Sequence, residues 1–236
     1  MGIFDDPVND YVGPGPRIAT NDFRHHNDGL VGGGMLANEF VPTPVSSLLY
    51  LHQAGLIGLH GLDAHARFRH LLPRMQRVVG PVQEVTSACS RVRLDPRVTD
   101  SLGLPVAQLS GRLHEEDHRN AAFLSEQAAE WLRASGATTV VVNGRRPDEL
   151  GPSSGQHQAG TCRMGTDPAH SVTDPYGRVW GHDNLRVLDG SLHVTNGGVN
   201  PVLTIFANAY RVMDAWLGSS ARPSAATPEP REKVGR

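Results

Sequence analysis

The sequence predicts an α+β chain, on three observations. Apolar residues recur at helical spacing over 45–58, 63–79, 115–135 and 201–217. Between them, short runs rich in Val, Thr and Leu at 82–94, 104–113, 138–142 and 185–188 read as strands. Glycine and proline are frequent, 26 and 17 of 236 residues, so the backbone turns often. A chain of this length can bury a real core, as one large domain or two small ones.

Residues 1–44 are loop-like, punctuated by Gly13-Pro14-Gly15-Pro16, Gly32-Gly33-Gly34 and Pro42-Thr43-Pro44, which leaves little room for long regular elements. Asp63 is placed to cap the second helix, and Pro73 inside that run predicts a kink or a break. In the first strand Val82, Val85, Val92 and Leu94 are the expected inward positions, with Asp95-Pro96 closing it. The clearest helix starts at Glu115: acids fill its first turn, Phe123, Leu124, Ala128, Trp131 and Leu132 form its stripe, and Gly136 ends it. Pro201 opens the last helix at a position where a missing N–H costs nothing. Residues 218–236 show no periodicity and read as a disordered tail. The expected division is therefore 1–150, 151–217 and 218–236.

Composition excludes several classes of function. Basic and acidic residues nearly cancel, 22 against 24, which argues against a sequence-independent nucleic-acid binder. Two cysteines, Cys89 and Cys162, do not make a disulfide-stapled scaffold. No run approaches a membrane span, and the first residues lack the basic and apolar regions of a signal peptide. The expectation is a soluble, cytoplasmic protein with neither nucleic acid nor membrane as partner.

Three constellations could carry chemistry. Gly32-Gly33-Gly34-Met35-Leu36-Ala37 matches G-x-G-x-x-A, but the preceding residues 21–28 are too polar for the central strand a dinucleotide fingerprint needs. The ribose-binding acid expected about 20 residues on is also missing. A plain glycine turn is the better reading. His114-Glu115-Glu116-Asp117-His118 matches H-E-x-x-H, in which two histidines one turn apart bind zinc and Glu115 serves as base. It sits at a strand-to-helix junction, where His114 can fall outside the helix, and only Glu130 or Glu149 offers a third ligand. An acidic first turn flanked by surface histidines is the better reading.

The third constellation runs from His157 through Gly160-Thr161-Cys162-Arg163-Met164-Gly165 to Val187-Leu188-Asp189-Gly190-Ser191 and Gly198-Val199-Asn200-Pro201. A histidine among small residues can reach into a pocket as a base near neutral pH. A glycine turn feeding a helix start offers free N–H groups and partial positive charge. Taken alone, these features favour packing glycines and an ordinary histidine.

In order and spacing the third constellation closely resembles the C-terminal signature of the glucose–methanol–choline (GMC) oxidoreductases, flavin enzymes that oxidise alcohols. The likeness spans about residues 153–216 and includes Val172-Thr173-Asp174, Gly177-Arg178-Val179-Trp180-Gly181 and Asn184-Leu185-Arg186-Val187. Upstream, Arg93-Leu94-Asp95-Pro96, Gly103-Leu104-Pro105-Val106 and His114 to Asp117 resemble the substrate-domain lead-in of sugar and polyol members.

The resemblance implies a substrate domain of antiparallel sheet and helices, joined to the last strand and helix of an FAD-binding domain. It implies His157 as the base for the substrate hydroxyl and Asn200 as its hydrogen-bonding partner. It implies Asp189 and Gly190 beside the ribityl–pyrophosphate side of FAD, and Asn200-Pro201 by the flavin's pyrimidine edge. The substrate would be a small alcohol or sugar. The βαβ unit that binds the ADP half of FAD in this family is absent from the sequence. That points to a partner chain carrying the dinucleotide-binding half, a truncated and inactive product, or a piece of a longer reading frame.

Overall fold

The computed structural model describes residues 1–9, 18–38, 43–142 and 157–218. The expected tail after Gly218, the stretch leading into His157, and Glu149 lie outside them.

Two three-stranded antiparallel sheets, one two-stranded hairpin and four α-helices make up the regular structure of the described residues. In the first sheet, β1 (Gly2–Ile3) lies between β4 (Met75–Gln76) and β8 (Thr139–Val140). In the second, β3 (Leu36–Asn38) lies between β2 (Ala19–Thr20) and β5 (Val78–Val79). Only Arg77 separates β4 from β5, so one extended segment serves both sheets. Residues 1–44 thus contain three strands, each two or three residues long, that composition did not mark.

Helix α1 (Pro44–Gln53) starts where Thr43 accepts the Ser46 N–H and Pro44 takes the first turn, and it buries Leu51 completely. Helix α2 (Leu62–Leu71) is shorter than the 63–79 periodicity implied, because the chain breaks at Pro73 into a 3-10 turn and then β4. Its cap is Gly61 rather than Asp63, which falls inside the first turn. Helix α3 (Glu115–Ala134) buries Asp117, Asn120, Leu124, Ala128 and Leu132, one residue per turn. Gly136, at φ +94°, ends it.

The core has two centres. Ile3, Leu51, Ile57 and Met75 pack together under α1, and Leu36, Leu124 and Ala128 pack between α3 and the second sheet. An open groove of about 270 Å³ runs beside the latter, lined among others by Arg77, Val79, Val82, Leu124, Ser125 and Val140.

Two strand expectations fail. Residues 82–90 form no ladder; the strand is β6 (Arg91–Thr99), paired with β7 (Pro105–Ser110) as a hairpin. Asp95-Pro96 does not close β6, because a register irregularity between Leu94 and Thr99 absorbs the proline while Asp95 accepts the N–H groups of Arg97 and Val98. Val92 and Leu94, expected inward, are exposed, since nothing described covers that face of the hairpin. Residues 185–188 form only an isolated bridge, Arg178 to Arg186, in place of a strand. Helix α4 (Val202–Leu217) begins one residue late, with Pro201 as its N-cap.

Burial predicts where substitution hurts. Leu51→Ala, at full burial, lowers stability by about 2–5 kcal/mol in denaturant unfolding, whereas Leu102→Ala at the exposed hairpin tip changes it by less than about 0.5 kcal/mol.

Candidate functional site

The segment from His157 to Gly165 is strapped to the turn that follows Asp189. The Cys162 N–H donates to Ser191 O at 2.9 Å and the Met164 N–H to Leu192 O at 2.9 Å. Gly160 makes this approach feasible: it adopts φ +88°, and a Cβ there would stand 3.2 Å from His193 O. Thr173, fully buried, backs the strap from the other side, its carbonyl accepting the Gly165 N–H at 3.0 Å.

Asp189 caps the 3-10 turn Gly190–Leu192. Its Oδ1 accepts the Ser191 hydroxyl at 2.5 Å and the Ser191 N–H at 2.8 Å. These two bonds, the hydroxyl foremost, hold the Asp189 carboxyl below its usual pKa; partial burial works against them and His193 adds a smaller downward pull. Gly190 lies between the His157 segment and α4: a Cβ on it would stand 3.2 Å from the Ile205 side chain and 3.8 Å from Gln158 O.

The turn before α4 is fixed by Asn196. Its amide nitrogen donates to Val82 O at 3.0 Å, while its oxygen accepts the N–H groups of Glu84 at 3.1 Å and Gly198 at 3.3 Å. Gly198, at φ +64°, then packs backbone to backbone on the glycine turn, where the Met35 N–H donates to Gly198 O at 3.0 Å. The G-x-G-x-x-A match is therefore a packing turn beneath the candidate site. Pro201 caps α4 without any side-chain hydrogen bond, so the first N–H groups of a 16-residue helix have no side-chain cap.

The sequence-derived residues fall as follows. His157 is half-buried and Asn200 exposed; Asp189 is exposed, and Gly190 and Pro201 are half-buried. Gly190 joins the His157 segment to the first turn of α4. His114, Glu115 and His118 do not form a metal site. His114 is the N-cap of α3, outside the helix, with its Nδ1 accepting the Glu116 N–H at 3.1 Å. Among the described residues no group of three His, Cys, Asp or Glu side chains could hold a metal. Asn196 and His193 escaped the sequence reading. Asn196 carries a faint signal, an amide directly before two glycines; His193, more than nine-tenths buried, carries none.

Residues 86–209 match the profile of the family described as GMC oxidoreductase. The chain is 42% identical over 123 residues to a 2-methyl-1,2-propanediol dehydrogenase of Mycolicibacterium austroafricanum, a match covering 52% of this chain and 22% of that protein. It is 38% identical over 130 residues to a paromamine 6'-oxidase of Streptomyces fradiae, covering 55% and 23%. It is 34% identical over 122 residues to a C-glycoside 3-oxidase of Arthrobacter globiformis, covering 51% and 23%. Each match takes in less than a quarter of the relative's length.

The bonds around Asp189 have a measurable consequence. A carboxyl whose pKa is depressed by folding contributes stability above its ordinary value, near 4, and loses it as pH falls through the folded value. Ser191→Ala removes the largest cause, so a carboxyl NMR titration shows the Asp189 pKa moving upward toward normal, and its contribution to acid stability shrinks.

Proposed function

The chain belongs to the GMC oxidoreductase family, and from that membership we propose that it supplies the catalytic C-terminal part of an FAD-dependent enzyme oxidising an alcohol or sugar hydroxyl. The observation that carries the reading is the meeting, around Gly190, of the His157 segment, the Asp189 turn and the uncapped start of α4.

These residues fit a flavin nucleotide. Gly190 lets the Asp189 turn lie close against Ile205 of α4, and a buried imidazole nitrogen of His193 lacks a hydrogen-bond partner. The start of α4 presents N–H groups and partial positive charge suited to negative charge on a flavin's pyrimidine edge. When bound, FAD takes the hydride from the carbinol carbon.

The chain's own residues do the rest. His157, half-buried among small residues, takes the hydroxyl proton on an imidazole nitrogen. Asn200 donates an amide hydrogen bond to the substrate oxygen and fixes its direction. An amide has no basicity near neutral pH, so the proton chemistry falls to His157 alone. Asp189 and Gly190 would hold the ribityl–pyrophosphate side, and Asn200 and Pro201 would stand by the pyrimidine edge of the ring. The names of the three relatives support a hydroxyl-bearing substrate: a propanediol, paromamine and a C-glycoside.

A dinucleotide-binding polypeptide segment beyond these residues completes the enzyme in this reading, and α4 supports it. The helix packs inward through Ile205 and Val212, yet Leu203, Phe206, Tyr210 and Leu217 form a second apolar stripe exposed on its opposite side. A helix apolar on two sides is one built to be covered on both.

In the flavin-loaded assembly, His157→Ala lowers turnover about 100-fold or more with flavin content unchanged; near-normal turnover overturns the role of His157. Replacing Leu203 and Tyr210 together by lysine prevents co-purification with the nucleotide-binding segment; undiminished assembly shows that this face of α4 is not the contact.

A further inference from the structure

Buried polar side-chain atoms in folded proteins nearly always find a hydrogen-bond partner. Within residues 157–218 the exceptions are Nε2 of His193 and two nitrogens of Arg186. Arg186 has another outlet, since its guanidinium lies over the Trp216 ring at 4.9 Å. His193 is 8% exposed, and its Nε2 is both buried and unbonded.

Its position adds meaning. His193 ends the 3-10 turn begun by Asp189, and its N–H donates to Gly190 O at 3.2 Å. Its carbonyl abuts Gly160, three residues after His157. The residue therefore stands where the Asp189 turn and the His157 segment are strapped together. A position serving packing alone is better filled by an apolar side chain, as at the neighbouring, fully buried Leu192. An imidazole here keeps a polar atom dry and unpaired, which is sustainable where a bound molecule supplies the partner. Burial pushes the His193 pKa down, against a smaller upward pull from Asp189, so the ring is neutral near pH 7. A neutral ring offers at Nε2 one donor or one acceptor, according to tautomer.

We propose that Nε2 of His193 hydrogen-bonds a ribityl or phosphate oxygen of the flavin nucleotide, holding it against the Asp189–Gly190 turn. The inference rests on the flavin reading above and adds a binding residue to it. His193 acts on the nucleotide's attachment and leaves the hydroxyl proton to His157.

The test uses the flavin-loaded assembly and its deflavinated form. His193→Phe keeps a ring of similar size and removes both nitrogens. His193→Gln places an amide nitrogen near the position of Nε2, and His193→Asn places one near Nδ1. In fluorescence titration with FAD, the Phe variant raises Kd about tenfold, the Gln variant recovers most of the loss, and the Asn variant does not. The denaturation midpoint of the deflavinated Phe variant stays equal to wild type or rises, because an unpaired polar atom has gone. An unchanged Kd in the Phe variant overturns the proposal. So does a lowered deflavinated midpoint together with failure of Gln to restore binding, which marks a structural role. Failure of the wild-type assembly to take up FAD instead overturns the flavin reading itself, and with it this one.

Discussion

Backbone meets backbone where Gly198 packs on the Gly33–Gly34 turn, and the geometry of the candidate site depends on that contact. A side chain at Gly198 would stand 2.9 Å from Gly33 O and 3.1 Å from Gln83 N, and its φ of +64° is one that other residues adopt reluctantly. So close an approach buries peptide groups that must find partners. Asn196 supplies them, with one amide spanning from Val82 O to the N–H groups of Glu84 and Gly198. The loop preceding Asn200 is thereby fastened to the same 82–85 segment that Asp117 of α3 grips through the Val85 N–H at 2.8 Å. Hydrogen bonds thus connect the longest helix, the glycine turn and the start of α4, beside the apolar packing of Leu36 on Leu124.

That organisation explains what could be read from the sequence. Helix α3 was legible because local signals agreed: an acidic first turn, a stripe at 124, 128 and 132, and a terminating glycine. The break at Pro73 was legible for the same reason, since ring geometry acts locally. Asp63 misled because a capping residue is defined by where the chain enters the helix, and Gly61 already provided that entry. Strands of two residues leave no periodicity to detect, so β1, β2 and β4 emerge only from pairings such as Gly2 with Gln76 and Ala19 with Ala37, whereas the valine run at 138–142 did mark β8. Val92 and Leu94 followed the alternation of a buried strand, yet the structure exposes them. Of the proposed site, His157, Asp189, Gly190 and Asn200 are marked by the family resemblance of their motifs; Asn196 and His193 are not, because their contacts are made across the chain.

The exposed apolar residues share a physical logic. Val92 pairs with Leu109 and Leu94 with Ala107 across the hairpin, so one face of it is apolar while Arg91, Arg93 and Gln108 occupy the other. Helix α4 repeats the pattern with Leu203, Phe206, Tyr210 and Leu217. A lone exposed leucine needs no explanation, whereas aligned sets on two separate elements do. Both elements lie within or beside residues 86–209, the part held in common with much longer relatives. In the reading proposed above, the stripe and the hairpin face are the surfaces that a nucleotide-binding segment would cover.

Electrostatics at the start of α4 gives the proposed chemistry its direction. Proton and hydride leave the same substrate, so a site must receive positive charge at one place and negative charge at another. His157 can take the first and becomes cationic. The second falls near the N-terminus of a helix whose first N–H groups are uncapped by any side chain, a fixed positive end that needs no reorganisation. Asp189, the one carboxylate in the signature turn, would oppose negative charge there if it pointed freely. Instead its Oδ1 is held by the Ser191 hydroxyl and N–H. Those bonds hold the carboxylate oxygen within the turn, and Asn200 adds no charge, so α4 contributes its fixed positive end to the flavin reading.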